Sequence, residues 1–159
     1  MEHPNRKHIR LKEFNYASAN SYFITVCTAN RAKIFWENNL TSKLSPAGII
    51  AEEEILAAGD RFPLAVIDHY VIMPDHIHLI ITLYDPVQGS DAKTPNVKNL
   101  IGFLKARITK KIGKGSIWQK SFYDHIIRND KDYEESWNYI SMNPIRYIDR
   151  MILQTQPEP

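Results

Sequence analysis

The sequence contains a single cysteine and no apolar run that approaches the length of a membrane span. Cys27 alone cannot form an internal disulfide, which is typical of a protein from a reducing interior. Residues 1–4 lack the basic and apolar segments of a signal peptide, and no internal repeat is visible. These absences lead us to expect a cytoplasmic protein that has no membrane partner.

Acidic residues are missing from one long stretch, between Lys98 and Lys120. Its seven cations are Lys98, Lys105, Arg107, Lys110, Lys111, Lys114 and Lys120. Aromatic residues cluster at its end, and residues 1–18 add a further basic arm. Cations that pair with phosphates and rings that stack under bases suit a nucleic-acid strand. On charge alone, a solvated helix face that happens to be basic is an equally good interpretation.

Periodicity and end signals divide the 159 residues into seven elements of a single domain, residues 1–159. β-branched and aromatic runs predict strands at Ser21–Thr28, at Leu64–Met73, from Pro74 to Tyr84 and within Ile117–Arg128. Caps and apolar spacing predict helices from Ser45 to about Ala58, over Asn96–Ile112, and from Asn129 or Asp130 to about Asn143. Residues 85–95 are expected to form a loop, and Pro144 to end the last helix and leave residues 145–159 as a short tail.

The order of these elements is strand, helix, strand, strand, helix, strand, helix. It predicts an α+β fold of the ferredoxin-like (split βαβ) type, with an antiparallel sheet and an additional C-terminal helix that carries Tyr139. This fold hosts many unrelated functions, so the chemistry has to be argued from particular side chains.

The third predicted strand alternates without interruption from Pro74 to Tyr84. One side is apolar and is expected to face a core, with Ile77, Leu79, Ile81 and Leu83, and the other side carries His76, His78, Ile80 and Thr82. Imidazoles two residues apart on a strand point the same way, so they can hold one divalent ion. An isolated His-x-His pair is more often two solvent-facing polar residues on a half-exposed strand. The metal interpretation therefore needs a third ligand.

Tyr139 and Asn143 share a face of the last predicted helix because they are spaced i, i+4. Tyr139 lies off the apolar stripe of that helix. The Asn143 amide oxygen can serve as the third ligand, and mixed imidazole and oxygen ligation suits Mn²⁺ or Mg²⁺, although Zn²⁺ and Ni²⁺ also bind histidines. A phenol with an ordinary pKa of about 10 needs such an ion to attack a phosphate at neutral pH. Structural zinc is disfavoured because Cys27 has no cysteine partner and lies on a distant predicted strand.

Four segments, taken in order, carry a resemblance to one family. They are Ile9-Arg10-Leu11 with Tyr22–Arg31, Met73–Ile80, Trp118-Gln119 with Tyr123–Asn129, and Tyr139–Pro144. Together they resemble the HUH-type single-tyrosine transposases, and in particular their REP-associated branch. The resemblance extends over nearly the whole chain, from about Arg10 to Arg146.

The resemblance implies a ferredoxin-like domain that acts on single-stranded or hairpin DNA as a homodimer with composite active sites. His76, His78 and Asn143 would bind Mg²⁺ or Mn²⁺. Tyr139 would be the nucleophile, and its attack would leave a 5′-phosphotyrosine and a free 3′-hydroxyl. The residues expected to contact DNA are Arg10, Lys105, Arg107, Lys110, Lys111, Lys114, Trp118, Lys120 and Arg128.

Two other functions account for part of the pattern. A non-catalytic single-stranded nucleic-acid binding module on the same fold would use the basic stretch, but it gives no role to the histidines, Tyr139 and Asn143 together. A small-molecule metalloenzyme would use the histidines, but it lacks a third strong ligand such as Glu or His on the same face. Tyr123 and His125 are interpreted as structural or DNA-contacting.

Overall fold

The computed structural model describes residues 20–156, so the basic arm and Arg10 lie outside the described residues. The elements are β1 (Ser21–Cys27), α1 (Pro46–Arg61), β2 (Ala65–Ile72), β3 (His76–Leu83), α2 (Val97–Ile112), β4 (Tyr123–Ile127) and α3 (Asp130–Thr155). The strands form one antiparallel sheet in the order β2-β3-β1-β4. The predicted α+β, ferredoxin-like fold with an additional C-terminal helix is confirmed.

The helices begin at the predicted capping residues. Ser45 accepts a hydrogen bond from the N–H of Gly48, and Asn96 and Asn129 cap α2 and α3 with their side chains. α1 ends at Arg61, slightly later than expected, because one glycine inside a helix costs only about 1 kcal/mol. None of the helices in residues 20–156 is long and apolar enough to cross a membrane.

α1 and α2 cover one face of the sheet and enclose the main core. Tyr22, Ile24 and Val26 are buried on this face of β1, where the period of two turns every second side chain toward the helices. The same alternation on β3 buries Ile77, Leu79, Ile81 and Leu83 in this core. The apolar stripe of α2 completes it, so the basic side chains of α2 lie on the outer side of this layer.

α3 packs on the opposite face of the sheet, which we call the site face. Ile140 of α3 is buried there against Ile80 of β3 and Ile127 of β4. His76 and His78 lie on the same face and are only 7% and 2% exposed. The histidines are therefore buried side chains, and the interpretation as solvent-facing polar residues is wrong.

The last helix does not stop at Asn143, as expected, but continues through Pro144 to Thr155. Residues 145–155 are thus helical rather than a tail. A proline inside a helix removes one backbone hydrogen bond and crowds the preceding turn, at a cost of about 3 kcal/mol. Packing beyond the proline offsets this cost: Tyr147 packs against the main core, with its ring centroid 5.4 Å from that of Trp36.

Candidate active site

The two histidines of β3 approach each other closely on the site face. Nε2 of His76 lies 3.1 Å from Nε2 of His78, and the ring centroids are 4.6 Å apart. Two nitrogens that each lie about 2.1 Å from one ion, at a right angle, are about 3.0 Å apart. The spacing of the two Nε2 atoms therefore fits a shared divalent cation.

Asp75 and Arg31 fix the His76 ring through its Nδ1 atom. Nδ1 of His76 lies 2.7 Å from Oδ1 of Asp75, and Nε of Arg31 donates to Oδ2 of the same carboxylate at 3.0 Å. Burial raises the pKa of Asp75, but the hydrogen bond to His76 and the charge of Arg31 outweigh burial and bring the pKa below its usual range. Because an ionised carboxylate only accepts, Nδ1 of His76 donates this hydrogen bond, and Nε2 is the ring nitrogen that lies toward His78.

Thr25 and Phe23 of β1 orient His78 in a similar way. Oγ1 of Thr25 lies 2.8 Å from Nδ1 of His78, its direct partner in the strand register. The Phe23 ring packs beside the imidazole, with centroids 5.2 Å apart. Both imidazoles therefore have the second hydrogen bond that fixes a metal-binding histidine. The sequence argument missed these roles, although Asp75 is the chain neighbour of His76.

α3 brings Tyr139 to this pair. The Tyr139 ring meets the His78 ring edge-on, with centroids 5.4 Å apart, and the Phe23 ring with centroids 5.8 Å apart. Asn143 follows one helical turn later on the same side of α3 and is 9% exposed. The structure thus brings Tyr139 and the histidines together within one chain, and it buries Asn143 next along the helix.

Cys27 lies directly opposite His76 in the β1–β3 register, so the expectation that it lies on a distant strand is wrong. Its sulfur accepts a hydrogen bond from Nη1 of Arg31 at 2.8 Å, and burial raises the pKa of the thiol. Between residues 20 and 156, no three His, Cys, Asp or Glu side chains are grouped to hold a metal ion. A cation at His76 and His78 would therefore depend on oxygen ligands such as Asn143.

Three of the cations expected to contact DNA are engaged inside the protein. Arg107 and Lys111 of α2 both form ion pairs with Glu54 of α1, which is 5% exposed. Nζ of Lys105 donates to the backbone carbonyls of Gln119 and Ser121, both at 2.9 Å. These side chains connect α2 to its neighbours, which accounts for their positions without DNA.

Trp118 is 9% exposed, and its ring lies 5.6 Å from that of Phe35 in the main core. Its indole N–H donates to the backbone carbonyl of Lys105 at 3.1 Å. A ring packed in this way presents little of its surface to a base, and the expected DNA contact of Trp118 stays a prediction. The aromatic ring and its basic neighbours in the sequence predicted an exposed surface, but the fold buries the ring in the main core.

The other expected DNA contacts within residues 20–156 are exposed. Lys110 lies in the last turn of α2, Lys114 and Lys120 follow in the connection to β4, and Arg128 lies between β4 and α3. α2 packs on the face of the sheet opposite to the site face. The exposed Lys110 of α2 therefore belongs to the layer on the other side of the sheet from the histidines.

Comparisons with known proteins agree with this picture. No family model matches the chain. An uncharacterized protein of Haemophilus influenzae is 32% identical over 160 residues, which cover 89% of this chain and 89% of that protein. A REP-associated tyrosine transposase of Escherichia coli is 35% identical over 81 residues, which cover 51% of this chain and 45% of that protein.

A solved structure extends the comparison to the fold. The structure of a REP-associated tyrosine transposase bound to a REP hairpin matches with a TM-score of 0.65 and 26% identity, over 87% of this chain and 74% of that chain. The match includes the α+β sheet and helices that carry the histidines and Tyr139 here. Sequence similarity and fold therefore agree that this chain resembles the REP-associated tyrosine transposases.

Proposed function

We propose that this chain is a metal-dependent single-stranded DNA transposase, which nicks and rejoins DNA through a 5′-phosphotyrosine intermediate. One observation supports the proposal above all. The Tyr139 ring contacts His78, whose Nε2 lies 3.1 Å from Nε2 of His76. A REP hairpin is bound to the solved relative, so we propose single-stranded or hairpin DNA as the substrate.

The proposed reaction is a transesterification at Tyr139. Oη attacks the phosphorus and loses its proton, the bond to the 3′-oxygen breaks, and that oxygen leaves as a 3′-hydroxyl after gaining a proton. The 5′-phosphate stays on the tyrosine, so the energy of the ester is kept for rejoining by a 3′-hydroxyl. His76, His78 and Asn143 would hold Mg²⁺ or Mn²⁺, which when bound neutralises charge on the phosphate.

Tyr139→Phe tests the nucleophile. The phenyl ring keeps the contacts with Phe23 and His78 but lacks the attacking oxygen, so we expect binding of a labelled hairpin to persist and the covalent adduct to disappear. The adduct is measured on denaturing gels with Mn²⁺ present. Tyr147→Phe is the matched control, because the Tyr147 hydroxyl on the same helix is buried without a hydrogen-bond partner, so its removal should leave the adduct unchanged.

An adduct of normal yield with Tyr139→Phe would show that another residue is the nucleophile. Alanine at His76 or at His78 should remove the adduct and leave strand binding largely intact. If the unsubstituted chain binds the hairpin and forms no adduct under any divalent metal, the non-catalytic binding module is the better function. The lack of a third His, Cys, Asp or Glu at the pair within residues 20–156 is the observation that favours this alternative.

A homodimer with composite active sites is part of the proposal, and it has its own test. Within one chain Tyr139 already contacts His78, so a single chain can supply both groups. Mixing Tyr139→Phe chains with His78→Ala chains restores the adduct only if the tyrosine of one chain serves the histidines of another. No adduct in the mixture would mean that each chain uses its own Tyr139.

A further inference from the structure

The site face is covered on one side and open on the other. Over β3, the side chains of His76 and His78 are buried, and the Tyr139 ring of α3 packs against His78. Over β4, Tyr123 is 41% exposed and the side chain of His125 is 53% exposed. Phe23 on the strand between them is half-buried. Among the described residues, the side of the site that adjoins β4 is therefore an open approach to the histidines.

Tyr123 lies in line with the histidines across this open side. In the sheet register, Tyr123 of β4 is paired with Thr25 of β1, and Thr25 is paired with His78 of β3. Directly paired residues of antiparallel strands point to the same face, and adjacent strands are about 4.8 Å apart. Tyr123 therefore stands roughly 10 Å from His78 on the site face, by two strand spacings.

We propose that Tyr123 is a stacking platform for a base of the DNA strand, close to the phosphate that Tyr139 attacks. This proposal rests on the proposed function. An exposed aromatic ring can stack against a base of any sequence, since every base has a π-face. A strand that reaches Tyr139 over the open side of the site face crosses β4, where Tyr123 and His125 are exposed.

The open side carries charges of both signs, from Asp132 of α3 and from Arg128 just after β4. Asp132 of α3 reaches the open side, where both carboxylate oxygens lie 2.8 Å from Nε2 of His125. Burial alone would raise the pKa of Asp132, but the hydrogen bonds from His125 and from the Arg128 N–H outweigh it and lower the pKa. A carboxylate that stays ionised repels phosphates but not an uncharged base, whereas the neighbouring Arg128 attracts phosphates. The strand backbone is therefore expected nearer Arg128 than Asp132.

The experiment measures equilibrium binding of a labelled single strand by the full-length chain, with Tyr139→Phe present throughout to prevent cleavage. Tyr123→Ala should raise the Kd about 5- to 150-fold, the range expected for the loss of one stacked base. Tyr123→Phe should leave the Kd unchanged, because the ring stacks without its hydroxyl. Tyr84→Ala is the matched control, since Tyr84 is 50% exposed just beyond the far end of β3.

A second measurement identifies the base. The same strand is prepared with an abasic nucleotide at each position in turn, and each strand is titrated with and without Tyr123→Ala. At one position the abasic strand should lose the same affinity as the variant, and the two changes together should lose no more. Circular dichroism of each variant establishes that it is folded.

Three outcomes would overturn the stacking proposal: an unchanged Kd for Tyr123→Ala, an equal loss for Tyr123→Phe, or no abasic position that couples to the ring. The result is separable from the proposed chemistry. A chain that binds through Tyr123 and never forms a covalent adduct keeps the stacking site and loses the transposase function. If the Tyr123→Ala chain forms the adduct normally and its Kd is unchanged, the transposase function is kept and the stacking site is lost.

Discussion

His76 is held by a short chain of hydrogen bonds that begins outside β3. Asp75 contacts its Nδ1, and Arg31 contacts Asp75. Arg31 itself has a left-handed backbone with φ of 53°, which is uncommon for a residue other than glycine. Its guanidinium contacts both the Asp75 carboxylate and the Cys27 sulfur. These contacts keep the arginine in a backbone conformation that costs on the order of 1 kcal/mol or more.

Asp75→Ala tests whether this chain matters for the proposed metal site. Loss of the carboxylate frees the His76 ring to rotate and to change its protonated nitrogen, so we expect Mn²⁺ affinity to fall about 10- to 100-fold. Isothermal titration calorimetry of the full-length chain measures the affinity. Asp91→Ala, in an exposed part of the loop before α2, is the control for the loss of one carboxylate. Equal Mn²⁺ affinities of the unsubstituted chain, Asp75→Ala and Asp91→Ala would contradict a positioning role for Asp75.

At the scale of the elements, α3 is where the sequence rule and the structure disagree most. The missing N–H of Pro144 is a local property of the residue, and it led to the wrong prediction that the helix ends at Asn143. The continuation to Thr155 depends on Tyr147 and Ile148, which pack against the main core. Such contacts join residues that are distant in the chain, so no local sequence pattern around Pro144 predicts them.

The ion pairs between α1 and α2 make a prediction about pH. The pKa of Glu54 is lowered, chiefly by the hydrogen bond from Lys111 and also by Arg107. A carboxyl with a lowered pKa stabilises the folded chain at pH values above its ordinary pKa of 4.5, and this stability is lost as the pH falls through the lowered value. We expect Glu54→Gln to reduce the free energy of unfolding at pH 7 by about 1–3 kcal/mol.

Urea unfolding at several pH values measures this effect. The difference between Glu54→Gln and the unsubstituted chain should be largest near neutral pH and should shrink in acid, below the lowered pKa. Glu53→Gln, an exposed neighbour on α1, should change the stability little at any pH. A Glu54→Gln protein as stable as the unsubstituted chain at pH 7 would mean that the pair only compensates the burial of its own charges.

At the scale of the whole molecule, the sheet separates two surfaces. The site face carries the histidines, Tyr139 and the open side at β4, whereas α2 lies on the other face with Lys110 and Lys114 exposed. The sequence assigned the basic stretch and the catalytic residues to one DNA-binding function, but it did not fix their relative positions. The fold implies that a short strand at the site does not reach α2, and that only a longer DNA could contact both faces.

Substitution of both Lys110 and Lys114 by Gln tests this separation. Adduct formation with a short single strand should be unchanged. Binding of a longer hairpin should weaken, and the slope of log Kd against log salt should fall by about one unit for each lysine that contacts a phosphate. Lys33→Gln combined with Lys93→Gln removes two exposed lysines outside α2 as the control. An equal loss with short and long DNA would place α2 next to the reacting strand.

The sequence by itself determined the element order, the helix caps, the histidine pair on one side of β3 and the family resemblance. These features follow from periodicity and from residues a few positions apart, so the chain encodes them locally. Only the tertiary structure decided that the histidines are buried, that Trp118 is turned inward, that Glu54 engages two of the expected DNA-binding cations, and that α3 continues past Pro144. Each of these outcomes depends on which distant residues pack together, because burial and pairing are properties of contacts across the fold and not of local sequence.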